Sequence, residues 1–377
     1  MYDLIIKAGR LVDPFQGIDG ARDIAISGEQ IAAVEKSIDA GQAAELIDAS
    51  DKVVAPGLID IHVHVYAGVS HYGIEPDPHC LHHGATTVYD AGSSGADTFP
   101  GFKKFVIDVS ATRIKAMLHI SSMGMLNPDI GELTDLRYAD VKRAIQMCED
   151  NREDIVGIKI RMSKKLVGDN GMEALKRARE VCDATGLPLM VHPNGSPLSF
   201  KTIMNELHPG DVCTHCFHAS DTGLLDKEGK VRETARRAEE KGILFDVGHG
   251  QGSFVYDVAE SALAQGFRPG TISSDLHSYN LHGPVFDLAT TASKFLMLGW
   301  SLPEVLERVT AAPARAMGTE GELGTLKAGN CADVAIFELQ EGSFEFIDAR
   351  GNMRIGEQKL VPVLTLRAGK QYLPVHG

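Results

Sequence analysis

From Val53 onward the chain alternates short apolar runs with helical stretches, and that rhythm is the strongest constraint on its fold. The runs cover residues 57–65, 85–90, 114–120, 155–162, 188–192, 211–217, 243–248 and 270–275. Between them, stretches such as 172–185, 231–241, 255–265 and 284–298 place apolar residues three and four apart, the helical period. Eight such strands alternating with helices predict a closed (β/α)8 TIM barrel rather than an open sheet. No Gly-x-Gly-x-x-Gly fingerprint or phosphate-binding loop follows any strand, so a nucleotide-binding fold has little support. The ends have another texture, with short strands at 4–8, 10–12, 23–27, 31–34 and 45–48, and again, after a helix at 302–311, at 332–337, 344–348 and 361–367. They are expected to pack together as one small β-sandwich domain, residues 1–54 plus 321–377, split in sequence by a hydrolase barrel of residues 55–320.

A length of 377 residues fits one barrel with a modest appendage. The net charge of −14 disfavours nucleic acid and anionic membranes, whose phosphates need clustered Lys and Arg, and points to a small-molecule substrate. The start of the chain lacks a secretory pattern and no run reaches a membrane-span length, so a cytoplasmic location is expected. Six scattered cysteines fit reduced thiols rather than a disulfide framework.

Chemistry concentrates at the ends of the strand candidates. His62 and His64 are two apart in Leu-Ile-Asp-Ile-His-Val-His-Val, so both imidazoles share one strand face while Ile61, Val63 and Val65 take the other. Two inward histidines at the end of a first barrel strand suit zinc or a similar ion, although alone they also fit ordinary polar residues. Lys159, between Ile158 and Ile160, points inward from a buried strand, where an ammonium must be paired, neutral or modified. A deprotonated amine there can take up carbon dioxide as a carbamate that bridges two cations. His192 and His215 each end a strand and reach the same mouth, and Asp275 closes the last one. There a carboxylate can bind a metal and take a proton from water; its plainer role is a helix cap.

At these residues the sequence resembles the amidohydrolase superfamily. The matching pieces are Ala-Pro-Gly-Leu-Ile-Asp-Ile-His-Val-His, Lys159, the later histidines, Asp275, and the runs Thr-Ala-Ala-Pro-Ala-Arg-Ala-Met-Gly and Gly-Thr-Leu-Lys-Ala-Gly-Asn-Cys-Ala-Asp-Val-Ala. The resemblance implies a binuclear zinc centre with His62 and His64 on the buried ion, His192 and His215 on the outer one, carboxylated Lys159 (N6-carboxylysine) as bridge, and Asp275 as ligand and proton shuttle. It further implies hydrolysis of an amide or ester by a metal-activated hydroxide.

Within the superfamily the chain looks most like the dihydroorotase-like amidohydrolase and deacetylase group. Dihydroorotases carry an arginine two residues beyond the second histidine, and Tyr66 stands here instead. Arg161, two beyond Lys159 on the same face, is the replacement candidate for gripping a substrate carboxylate, with pairing to a nearby carboxylate as its plainer role. Tyr66, His249 and Asn280 are further substrate-contact candidates, whereas Cys213 and Cys216 span a strand and point to opposite faces. The expected substrate is a small carboxylate, such as an N-acyl amino acid or an O-acyl α-hydroxy acid. A cyclic amidohydrolase, a deaminase and a non-catalytic scaffold are the alternatives, and a homo-oligomer fits the resemblance.

Overall fold

The computed structural model describes residues 1–375. Five strands open the chain: β1 (Tyr2–Asp13), β2 (Ile18–Ser27), β3 (Gln30–Glu35), β4 (Ala43–Asp48) and β5 (Val53–Pro56). Seven follow at longer intervals: β6 (Leu58–Val63), β7 (Ala85–Asp90), β8 (Arg113–His119), β9 (Ile155–Arg161), β10 (Leu189–His192), β11 (Val212–Cys213) and β12 (Leu244–Phe245). The chain closes with β13 (Val334–Ile347), β14 (Met353–Arg367) and β15 (Lys370–Tyr372). No helix among the described residues is long and apolar enough to cross a membrane.

Strands β6 to β12 form one parallel sheet in strict chain order, each paired with its sequence neighbour. Helices cover its outer face, so Val63, Val88, Ile158, Ile160 and Val191 are buried against Phe102, Leu175, Val181 and Phe217. The inner face carries Ala91, Met117, Met190 and Val212. The expected eighth run is present as an irregular segment. Thr271 bridges to Asp246 beside β12 and Leu276 bridges to Val63 of β6. Val247 N donates to Thr271 O at 3.2 Å, Asp275 N to His62 O at 2.7 Å and His64 N to Leu276 O at 3.0 Å, so this segment hydrogen-bonds to both edges of the sheet. A full ladder fails for a local reason: Asp275 has φ 49°, outside the extended region. Likewise β11 is shorter than the expected 211–217 run, because His215 at φ 61° turns the backbone out of the ladder.

The ends of the chain depart from the expected sandwich, forming one continuous mixed sheet in the order β15-β14-β13-β5-β1-β2-β3, with β4 also on β1. The expected short runs at 4–8 and 10–12 merge into β1, whose 12 residues hold β4 and β5 in series on one edge. The expected runs at 332–337 and 344–348 merge into the 14-residue β13, which forms a hairpin with the 15-residue β14, the 361–367 run lengthened. Leu4, Ile6, Leu11, Ile24, Val334, Ile336 and Leu366 give this sheet a core of its own.

A single residue, Gly57, separates β5 from β6, so the terminal sheet feeds directly into the first parallel strand. Three contacts lock the junction: Gly57 N donates to Asp333 O at 2.8 Å, Arg113 Nη1 to Asp333 Oδ2 at 2.5 Å, and Arg113 Nη1 to Thr87 Oγ1 at 2.8 Å. Removing one partner of a largely buried ion pair strands the other charge. Asp333→Ala is therefore expected to cost about 3 kcal/mol of unfolding free energy, read as a lowered urea midpoint. A midpoint equal to wild type would show that this junction carries no stability.

Candidate active site

Every strand that supplies chemistry does so from its C-terminal end. His62 lies in β6 and His64 just past it, Lys159 in β9, and His192 at the end of β10, while His215 and Asp275 stand on the turned backbone after β11 and in the closing segment. These elements bring the six residues to the lining of one cavity of about 390 Å³. Asp275 Oδ1 lies 3.4 Å from His62 Nε2 and 3.1 Å from His64 Nε2, and its Oδ2 lies 4.0 Å from His215 Nε2. Ligating atoms of His62, His215 and Asp275 all fall within 4.8 Å of one another. The His192 ring packs edge-on to His215 with 4.7 Å between centroids, and its Nδ1 is buried with no hydrogen-bond partner. A buried imidazole nitrogen without a hydrogen-bond partner fits a cation site better than a finished core.

Behind the imidazoles, hydrogen bonds fix which nitrogen faces the cavity. Thr214 Oγ1 spends its proton on Asp246 Oδ2 at 2.7 Å, so it accepts from His62 Nδ1 at 2.9 Å and leaves Nε2 as the lone pair. Asp246 also accepts from Thr271 Oγ1 and Ser273 Oγ, each at 2.7 Å. His215 Nδ1 donates to Gly248 O at 2.6 Å, and His64 Nδ1 pairs with Ser93 Oγ at 3.0 Å. Asp60 ties the first strand to the closing segment by accepting from Ser274 N at 3.1 Å and from His62 N at 3.2 Å.

Two glycines are required here by both space and conformation. Gly248 has φ 46°, and a Cβ on it would sit 2.7 Å from His215 Nδ1. Gly250 has φ 55°, and a Cβ there would sit 2.2 Å from Asp275 Oδ2.

Burial pushes His62, His64 and His192 well below the usual imidazole range and His215 down to about 3, so all four are held in the neutral form, the one able to bind a cation. Lys159 is completely buried, and that desolvation brings its amine down to about 7 against the pull of Asp275. Its Nζ lies 3.1 Å from His62 Nε2 and 3.4 Å from Met190 Sδ. Among the described residues it makes no salt bridge.

Of the expected substrate contacts, only Arg161 lines the cavity. Even so, its Nε donates to Glu132 at 3.0 and 3.2 Å, its Nη2 also meets Glu132, and its Nη1 donates to Tyr72 OH at 3.2 Å. Burial would raise Glu132, but Arg161 and His119 outweigh it and hold the carboxyl well below its usual range. The other three lie elsewhere. Tyr66 packs on Phe102 and donates to Thr98 O at 3.1 Å. His249 turns to Lys294, with 2.7 Å between Nε2 and Nζ. Asn280 braces the Asp275 loop, its Nδ2 donating to Asp275 O at 2.8 Å and its Oδ1 accepting from His277 N at 2.9 Å. Tyr72, Lys165, Asn194, Gln251, Ser253 and His277 take their places at the lining. The ring of Tyr72 stacks on His64 with 5.1 Å between centroids. Cys213 and Cys216 are free and buried, and burial pushes the Cys213 thiol up to about 12, which removes them from thiolate chemistry.

Residues bracing the candidate metal-binding side chains were not named from sequence, chiefly Thr214, Asp246, Ser93 and Asp60, nor was Glu132, which holds Arg161. Asp246 does carry a signal, since it is the one charged residue inside an otherwise apolar strand candidate, 243–248. Cutting the link from Asp246 through Thr214 to His62 should weaken metal binding while leaving Asp246 two other donors. Thr214→Val is expected to lower zinc affinity about tenfold to a hundredfold in competition with a chromophoric chelator. An unchanged affinity would remove Thr214 from the support of His62.

Comparison with known proteins fits this geometry. The model of the amidohydrolase family matches residues 53–371. A deacetylase of Enterococcus faecalis is 36% identical over 376 residues, covering 98% of this chain and 99% of its own. One from Agrobacterium fabrum is 36% identical over 333 residues, 88% of this chain and 82% of its own. Among solved structures, one titled a dihydroorotase superposes with a TM-score of 0.91 at 32% identity, covering 100% of both chains. Another, titled an adenine deaminase, has a TM-score of 0.91 at 36% identity, covering 99% of this chain and 100% of its own. Matched over most of its length by the family model and nearly end to end by a curated relative, the chain belongs to the amidohydrolase family and is a hydrolase.

Proposed function

We propose that the protein is a zinc-dependent deacetylase or related amidohydrolase that cleaves an amide or ester of a small carboxylate-bearing molecule. The observation that carries this reading is the convergence of His62, His64, Lys159, His192, His215 and Asp275 on one cavity, with ligating atoms of His62, His215 and Asp275 within 4.8 Å of one another. We read the parallel sheet and its bridging segment as a closed (β/α)8 barrel of residues 55–320, with the terminal sheet as a small β domain of 1–54 plus 321–377. His62, His64 and Asp275 would hold one ion and His192 and His215 a second, bridged by Lys159. A neutral Lys159 amine would add to carbon dioxide and lose a proton to give a carbamate able to hold such ions, and an amine near pKa 7 has the required free base at neutral pH. Divalent ions held there supply an acidified water and a polarised carbonyl.

The remaining steps belong to the chain's own groups. Asp275, 8% exposed at the cavity, takes the proton of the attacking water and returns it to the leaving nitrogen or oxygen. Gly250 has no Cβ to crowd its Oδ2, so the carboxylate can pack against the loop backbone at this position. Beyond the proposed metal ligands the lining carries the cations Arg161 and Lys165, which favours an anionic substrate. Arg161 has part of its fork on Glu132 and Tyr72 and offers the remaining N–H groups to a substrate carboxylate.

Deaminase chemistry is the second reading, favoured by the likeness to the structure titled an adenine deaminase. A cationic lining suits a neutral purine poorly, and Lys159 beside His62 argues for hydrolysis of an acyl bond instead.

Asp275→Asn should lower turnover by about a thousandfold, while metal analysis finds zinc still bound; full activity would remove Asp275 from proton transfer. Against a panel of N-acyl amino acids of both chiralities, acylated hydroxy acids, dihydroorotate, adenine and uncharged lipophilic esters, the zinc-loaded protein is expected to prefer the acylated carboxylates. Preference for the lipophilic esters contradicts the charge argument, and preference for adenine supports the second reading.

A further inference from the structure

Outside the cavity lining there is a second buried lysine. Lys294, in helix Leu288–Met297, is 1% exposed, and its Nζ has three acceptors: His249 Nε2 at 2.7 Å, Pro284 O at 2.8 Å and Ile347 O at 2.7 Å. Only the ammonium form supplies a proton to each. Among the described residues it makes no salt bridge. A cation buried on carbonyls and one imidazole is costly, and here it joins three separate stretches of chain.

The imidazole it grips is equally constrained. His249 is 0% exposed and stacks on Phe254 at 4.6 Å between centroids. Its Nδ1 pairs with Gly250 O at 2.9 Å, and since a carbonyl only accepts, Nδ1 carries the proton and Nε2 the lone pair that meets Lys294. The backbone on either side of His249 lies against the centre: Gly248 O accepts from His215 Nδ1 at 2.6 Å, and Gly250 stands directly behind Asp275. Its own N–H donates to Ser273 O at 3.1 Å. Two glycines in left-handed conformation could pivot, and the one large side chain between them is the one that Lys294 holds.

We propose that Lys294 is a positioning residue for this centre: through His249 it fixes residues 248–250, so that the Gly248 carbonyl orients His215 and Gly250 backs Asp275. Neither Lys294 nor His249 lines the cavity, so the effect is on ligand geometry rather than substrate contact. This inference rests on the metal reading of the centre given above.

The test is zinc affinity of the full-length protein, measured by competition with a chromophoric chelator for wild type, Lys294→Met, His249→Phe and the double variant. Phenylalanine at 249 keeps a ring on Phe254, so that variant decides the matter even where Lys294→Met does not fold. Each single variant is expected to weaken zinc binding about tenfold or more. The double variant should be no weaker than the worse single, because both act through one link. Variants that bind zinc as tightly as wild type, or losses that simply add, overturn the proposal. A wild-type protein that binds no zinc overturns the metal reading and this inference together, whereas tight wild-type binding with unchanged variants overturns this inference alone.

Discussion

The carboxylate of Asp246 is the constraint on which the centre depends. It is completely buried, a position that burial alone penalises, and three hydroxyls from Thr214, Thr271 and Ser273 compensate it. Those hydroxyls come from the chain after β11 and from the closing segment, so satisfying one carboxylate ties neighbouring elements together at the height of the ligands. Through Thr214 the same group orients His62, and through Ser273, whose Oγ also accepts from Gly248 N at 3.0 Å, it reaches the loop that orients His215. Fold closure and ligand geometry are thus one hydrogen-bond system, and an apolar residue at 246 would leave three buried hydroxyls to find new acceptors.

A second consequence of burial is the charge state of the centre. Four imidazoles crowded with a lysine would repel one another if protonated, and removal from water drives them to the neutral form first. The result is a cluster of lone pairs and one carboxylate with too few protons to satisfy itself, visible most directly in the partnerless Nδ1 of His192. Such a cluster is matched by cations. The wider cavity adds Arg161 and Lys165, so its lining suits anions while its floor suits metal.

Much of this was legible in the sequence because it follows from period-two alternation. The inward direction of His62, His64 and Lys159, and the arrival of His192, His215 and Asp275 at one mouth, are consequences of strand geometry. What alternation does not encode is where the backbone leaves the strand. His215 and Asp275 adopt positive φ, which shortened β11 and broke the last ladder. The same limit misplaced the loop residues: Tyr66, His249 and Asn280 read as substrate contacts from proximity in sequence, yet each is drawn away by a partner distant in sequence or by the loop's own turn, Thr98, Lys294 and His277 respectively. Arg161 reaches the cavity lining as alternation from Lys159 directs, but Glu132, which claims much of its fork, lies 29 positions away in a loop with no strand to fix its direction. The terminal segments were recognised as β-rich, while the length of β1 and its two partners in series made one sheet of what short runs suggested were two.

The account's central claim is that these six side chains share divalent cations, and anomalous diffraction from crystals grown with zinc tests it most directly. The expected map has zinc peaks bounded by His62, His64, His192, His215 and Asp275, with extra density on the Lys159 amine. Zinc found elsewhere, or a bare Lys159 beside an empty cluster in crystals that hold zinc at other positions, would contradict it.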